Sequence, residues 1–139
     1  MNFFQRYRQA IIWAGCGLIT ISIGLVWIWR IGIEQVRARD IQRVSDAVTI
    51  QTAFEKMFQH DRSYANAAVK GCDKVGQSVR RCSLREYYKD INQIFDPGKF
   101  DYVVTKVPDK TTYEVTFTLE RNYEGITKGE HKITPEGIR

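Results

Sequence analysis

The feature that most constrains this chain is a run of twenty residues without a charge, residues 10–29, near the start of the sequence. A helix rises about 1.5 Å per residue, so this run would span about 30 Å, the thickness of a bilayer's hydrocarbon core. A cleaved signal peptide is the competing interpretation, but its apolar region is shorter, about 7–15 residues, and ends at a small-residue cleavage site. Here the segment RIGIEQVRARD follows instead. We therefore predict an uncleaved single-pass anchor, in which residues 1–9 form a short basic tail and residues 10–33 the transmembrane part of a long helix.

The helical pattern continues past the apolar run. No proline and no turn cluster occurs before HDRSY, residues 60–64, and Gly32 is the single weak helix former on the way. We therefore predict one helix from about Phe4 to Gln59, with residues 34–60 as its amphipathic part. Its apolar stripe consists of Ala47, Ile50, Phe54 and Met57, widened by Phe58 and extended toward the membrane by Ile41, Val44 and Val48.

Small residues recur on one side of the apolar segment. Ala10, Ala14, Gly17 and Gly24 fall within about 80° of one another on a helical wheel. Small side chains let helix backbones approach closely in lipid, where packing drives association. The pattern is compatible with a helix–helix contact, either with copies of the chain or with another partner, and equally with the general abundance of glycine in membrane helices.

Residues 61–139 are predicted to form a small head. Cys72 and Cys82 bracket the polar loop CDKVGQSVRRC, a spacing that suits a disulfide in an oxidising compartment. Two free thiols in a cytosolic loop are the alternative. Cys16, in the apolar segment, is interpreted as a small packing residue.

The remaining head segments predict one short helix and three strands. Ser83 and Glu86 have capping-box spacing, which predicts a helix at residues 84–91, and DPGK, residues 96–99, predicts a turn. Strands are predicted at residues 100–107, 111–120 and 130–134. In the second strand Tyr113, Val115, Phe117 and Leu119 alternate with polar residues, so they would face the helix stripe. The predicted fold class is α+β, a long N-terminal helix packed on a three-stranded antiparallel sheet.

The net charge of +5 argues little about partners. Arg6, Arg8 and Arg30 supply three of these charges within residues 1–30, which contain no acid, so the rest of the chain is nearly neutral. We therefore expect no nucleic-acid face. The basic residues that flank the apolar run weakly favour a head inside the cytoplasm, whereas the predicted disulfide favours a head outside it.

We find no catalytic constellation and predict no enzyme, cofactor or small-molecule substrate. His60 and His131 stand alone in the sequence, and no nucleophile elbow, P-loop or zinc-protease motif occurs. The oxygens of Glu120, Asn122, Glu124 and Glu130 could hold calcium, but their spacing is not an EF-hand and Lys128 lies among them. A solvated loop is the interpretation we favour.

Residues 37–64 resemble the long helix of type IV pilins and of the pseudopilins of type II secretion systems. Their sequence is RARDIQRVSDAVTIQTAFEKMFQHDRSY. The later segments YEVTFTLE and ITPEGI are similar to the C-terminal sheet of major pseudopilins. The resemblance covers the layout of residues 10–138. It implies a subunit whose helices pack in the centre of a filament, stored in the cytoplasmic membrane with its head outside.

The first residues depart from that family. MNFFQRYRQAIIW contains no segment like GFTLIE, the family's processing site, and no acid precedes Glu34. The resemblance therefore implies a pilin-like structural subunit whose partners are membrane lipid and other copies or related subunits. A stand-alone membrane-anchored envelope protein, whose head binds a partner, is the alternative.

Overall fold

The computed structural model of the chain describes residues 3–69 and 71–139, except for the side chains of residues 3–12 and 14. It consists of one long helix, three short 3-10 helices and one antiparallel sheet. The α+β class that the sequence predicts is therefore confirmed. The chain divides into two compact units, Met1–Val36 and Arg37–Arg139, which are described separately below.

Helix α1 runs from Phe3 to Asp61 and is continuous through residues 29–40. It includes residues 3–9, which the sequence predicts as a tail. The helix ends where Arg62 adopts a positive φ of 55° and donates its backbone N–H to the Phe58 carbonyl at 2.8 Å. A left-handed residue after the last turn is a common way for a helix to end.

The sheet contains four strands rather than the predicted three. The strands are β1 (Val103–Lys106), β2 (Glu114–Leu119), β3 (Gly129–Thr134) and β4 (Gly137–Ile138), and they pair antiparallel in that order. In the added strand, Ile138 pairs with Ile133, and Gly137 has φ 127°, which glycine adopts without strain. Strand β4 has only two residues and follows Pro135, so it carries no alternation from which a strand could be predicted.

The predicted helix at residues 84–91 is wrong. Residues 85–87 form a turn, and a 3-10 helix follows at Lys89–Gln93. The Ser83 hydroxyl is buried without a hydrogen-bond partner among the described residues, so the capping box does not form. The backbone N–H of Ser83 instead donates to the Ala67 carbonyl at 3.0 Å.

The head core lies between the C-terminal half of α1 and one face of the sheet. Phe54 stacks on Tyr113 with ring centroids 3.9 Å apart, and Tyr64 packs edge-on against Tyr113 at 4.9 Å. Burying such rings removes 150–250 Å² of surface each from water. The core therefore anchors this part of α1 to the residue that directly precedes β2.

Candidate functional site

The apolar part of α1 is exposed. The most apolar 18-residue window of the helix has a mean hydropathy of 1.8 and none of it is buried, so by length and composition the helix can cross a membrane. Trp13, Trp27 and Trp29 are 68–76% exposed. Surface of this composition is stable in lipid rather than in water.

The small-residue stripe is described in part. Gly17 and Gly24 have no heavy atom within 4 Å of the position a Cβ would take. Another helix could therefore approach them closely. The side chains of Ala10 and Ala14 lie outside the described residues.

In the head, the predicted core residues occupy the interior. Ala47, Ile50, Phe54 and Met57 are fully buried, Phe58 is partly buried, and Tyr113, Val115, Phe117 and Leu119 of the sheet are at most 2% exposed. The extension of the stripe toward the membrane is wrong for two of its three residues, because Ile41 is 43% and Val48 50% exposed. The buried line continues instead through Arg43 and Asp40, at the same helical spacing. Val44 is partly buried beside it.

Arg43 is the centre of a head charge cluster, which we define as Arg39, Asp40, Arg43, Asp96 and Glu120. The Arg43 side chain has no exposed surface. Its Nε lies 2.5 Å from Asp96 Oδ2, and its Nη1 lies 2.8 Å both from Asp40 Oδ1 and from Glu120 Oε1. The guanidinium therefore ties α1 to the turn before β1 and to the end of β2.

Two further contacts complete the head charge cluster. Arg39 donates from Nε and Nη2 to the two Glu120 oxygens, each at 2.9 Å. The Asp40 carboxylate accepts the backbone N–H groups of Glu120 and Arg121 at 3.0 and 2.9 Å. Bidentate and charge-assisted bonds of this kind are stronger than neutral ones and fix geometry.

The turn at residues 96–99 is shaped around Arg43. Asp96 Oδ1 accepts the backbone N–H groups of Gly98 and Phe100 at 2.7 and 3.2 Å. A Cβ on Gly98 would come within 2.6 Å of Arg43 Nη2, and the Phe100 ring centroid lies 5.1 Å from the guanidinium carbon. Only a residue without a side chain fits position 98 beside a guanidinium held in place by carboxylates.

The titration behaviour of the head charge cluster follows from these bonds. The pKa of Glu120 falls to about 2 because Arg39 donates to its carboxylate; burial opposes the shift and Arg43 adds to it. Burial alone would raise the pKa of Asp96, but the bonds from Arg43 and from the Gly98 backbone hold it below its usual value. Burial would also lower the pKa of Arg43, but its hydrogen bonds to Asp96, Glu120 and Asp40 raise that pKa instead. Arg43, Asp96 and Glu120 are therefore charged at neutral pH.

Cys72 and Cys82 form a disulfide, with Cα atoms 4.9 Å apart. The loop that it closes lies along the outer edge of β1. Val79 donates its backbone N–H to Tyr102, and Val104 donates to Gln77, both at 2.8 Å. An uncovered strand edge is a template for aggregation, and this loop protects β1 from that.

The oxygens considered as calcium ligands and the two histidines do not form a metal site among the described residues. Within residues 3–69 and 71–139, no three His, Cys, Asp or Glu side chains are grouped to hold a metal ion. Both Glu120 oxygens face arginines, and Asn122 Oδ1 accepts the Lys128 backbone N–H at 2.7 Å. His60 Nδ1 lies 2.5 Å from Asp61 Oδ1 at the end of α1, and the ring of His131 contacts the backbone carbonyls of Thr127 and Arg139.

Comparison with known proteins finds no matching family model, no matching curated protein and no matching solved structure. The described residues define a structural class by themselves. It is an α+β protein in which one long, exposed apolar helix continues into the core of a head that has a four-stranded sheet and a disulfide.

Proposed function

We propose that this chain is a pilin-like structural subunit of a type IV pilus or a type II secretion pseudopilus, assembling through α1. The observation that carries the proposal is the continuity of α1. The same helix, Phe3–Asp61, supplies the exposed apolar segment and the buried stripe of the head. A membrane anchor that served only as a tether would not need to share its helix with the core of the head.

A second feature supports contact between helices. Every seventh residue from Ala10 to Thr52 is small, apart from Ile31: Ala10, Gly17, Gly24, Ala38, Ser45 and Thr52. Within the head, Ala38, Ser45 and Thr52 are exposed, with Ile41 and Val48 between them. A seven-residue repeat of small and apolar positions without charge is the pattern of a helix–helix seam.

We place the subunit in the cytoplasmic (inner) membrane as a single-pass protein with its head outside the cytoplasm. The Cys72–Cys82 disulfide supports this orientation, because disulfides persist in oxidising compartments and are rare in the cytosol. Once assembled, the head would lie on the surface of a filament outside the cell.

Crosslinking in membranes tests the proposal. The full chain would be treated with a bifunctional amine reagent as wild type, as Gly17→Leu and as Gly15→Leu. Gly15 has as much free space around it as Gly17 but lies off the small-residue stripe, so it is the matched control. We expect Gly17→Leu to reduce crosslinked oligomers strongly and Gly15→Leu to leave them unchanged.

The competing function is a stand-alone membrane-anchored envelope protein whose head binds a partner. It requires no contact between copies. Wild-type chains that remain monomeric in the crosslinking experiment, at a density at which a control oligomer is captured, would favour this function over a pilin-like subunit.

A further inference from the structure

An open cavity of about 690 Å³ lies beside the head charge cluster, wholly within the unit Arg37–Arg139. One wall is the start of the head part of α1, and the other is the loop between β2 and β3. Of the residues that line this cavity, only Ile41 also belongs to the proposed helix–helix seam. The residues that line it are Arg37, Asp40, Ile41, Glu120, Arg121, Asn122, Tyr123, Glu124 and Lys128.

The cavity presents positive charge that has no carboxylate partner. Arg37, Arg121 and Lys128 are exposed, and none of them lies within 4.0 Å of an acidic oxygen among the residues described. Two of the three acids in the lining, Asp40 and Glu120, are already bound by Arg43 and Arg39. The lining therefore carries three cations without an acidic partner and one further acid, Glu124.

The cations come from separate chain segments that converge on one space. Arg37 belongs to α1, whereas Arg121 and Lys128 belong to the β2–β3 loop. The Arg121 backbone N–H donates to Asp40 and so holds the loop against the helix, and the Lys128 backbone N–H donates to Asn122 within the loop. The charge of Arg37 also acts on Tyr123: burial and Glu124 raise the pKa of that phenol, and Arg37 opposes the rise. The fold thus sets the backbone positions from which Arg121 and Lys128 reach the cavity.

We propose that this cavity binds the phosphate of an anionic membrane phospholipid headgroup. Arg and Lys side chains that converge from two sides can share the oxygens of one phosphodiester, the geometry that favours phosphate over a chloride-sized anion. Ile41, which is 43% exposed, gives the lining an apolar contact for the glycerol end of the headgroup.

A lipid is favoured over a free anion by chain connectivity. Arg37 follows the predicted transmembrane segment, residues 10–33, by four residues in the sequence. Basic residues close to a membrane span attract anionic lipids by about 1 kcal/mol each where the adjoining leaflet contains such lipids. A phosphate tethered in the bilayer is present at high local concentration beside a residue that follows the span so closely in the sequence.

The test uses the full chain in a mild uncharged detergent and measures its affinity for dihexanoyl phosphatidylglycerol by calorimetry. Three variants are compared with wild type: Arg37→Gln/Lys128→Gln, the charge-keeping Arg37→Lys/Lys128→Arg, and Lys74→Gln/Lys110→Gln as a control that removes two exposed lysines elsewhere. We expect the first to weaken binding by about 10-fold to 30-fold and the other two by less than about threefold.

Three results would overturn the proposal. One is equal affinity of wild type and Arg37→Gln/Lys128→Gln, with the amide hydrogen exchange of β2 showing that both heads are folded. Another is equal binding of dihexanoyl phosphatidylcholine, which has no net charge. The third is displacement of the lipid by an equal concentration of inorganic phosphate, which would make the cavity a site for free anions.

Discussion

Arg43 and Asp96 form an ion pair inside the head: Arg43 Nε lies 2.5 Å from Asp96 Oδ2, and the two side chains are 0% and 3% exposed. A buried charge is tolerated only when it is paired and hydrogen-bonded. Here the pair joins α1 to a turn 53 residues later in the chain. The head therefore depends on an electrostatic connection as well as on its apolar core.

Removing the Asp96 charge should destabilise the head sharply. Asp96→Asn leaves Arg43 buried with one fewer anion, and breaking a buried pair in this way costs about 3–5 kcal/mol. Amide hydrogen exchange of the β2 residues in the full chain in detergent would measure the loss. Asp109→Asn is the matched control, because Asp109 also accepts two backbone N–H groups in a turn, those of Thr111 and Thr112, but it has no arginine partner. A loss no larger than the control's would contradict the account.

Gly98→Ala should also destabilise the head, by about 1–3 kcal/mol, because the new methyl group would overlap the held guanidinium of Arg43. The side chain cannot move aside without leaving its carboxylates. Unfolding of the full chain by urea, followed by the near-ultraviolet signal of the head tyrosines, would measure the change. Gly32→Ala, where nothing lies within 4 Å, should cause no loss of stability. Equal midpoints for the two variants would refute the predicted overlap.

The head should lose stability in acid. Glu120 has a folded pKa of about 2, below its ordinary value of 4.5, and the pKa of Asp96 is also lowered. The folded state thus binds fewer protons than the unfolded state between these values, and stability falls as the pH drops from about 4.5 toward 2. Stability measured across this range should fall less steeply in Glu120→Gln than in wild type. Glu130→Gln, at an exposed position outside the head charge cluster, should match wild type.

Replacing both cysteines of the head should weaken the β1 edge. Cys72→Ser/Cys82→Ser removes the closure of an 11-residue loop and should cost about 2–4 kcal/mol. The amides of Val79 and Val104, which hydrogen-bond across this edge, should lose protection from hydrogen exchange first. Cys16→Ser, which breaks no disulfide, should leave their protection unchanged. If Val79 and Val104 stayed protected in the double variant, the loop would hold the edge without the disulfide.

The sequence predicts the parts of the fold that are governed by apolar periodicity. The buried residues Ala47, Ile50, Phe54 and Met57 follow one helical spacing, and Tyr113 to Leu119 alternate, so both surfaces are visible without coordinates. Extending the helical spacing backward from Ala47 leads to Arg43 and Asp40. A search for apolar residues passes over these positions and selects Ile41 and Val48, which are exposed.

The head charge cluster was not predictable because its partners are distant in the chain. Asp96 and Glu120 lie 53 and 77 residues after Arg43, and nothing local distinguishes them from solvated acids. The available signal was the position of two charged residues, Asp40 and Arg43, on the line of a buried stripe. Such a placement indicates that partners must come from elsewhere in the fold.

The central claim is that α1 carries contacts between copies on its exposed face. In a Cys16→Ser background, Ser45→Cys introduces a thiol on that face, and Thr111→Cys introduces one at an exposed position in the loop before β2. Oxidative crosslinking of the full chain in membranes is the direct measurement. The account predicts disulfide-linked dimers for Ser45→Cys and monomers for Thr111→Cys, and it predicts that Gly17→Leu abolishes the dimers. Monomers in both variants, or equal dimer formation in both, would contradict it.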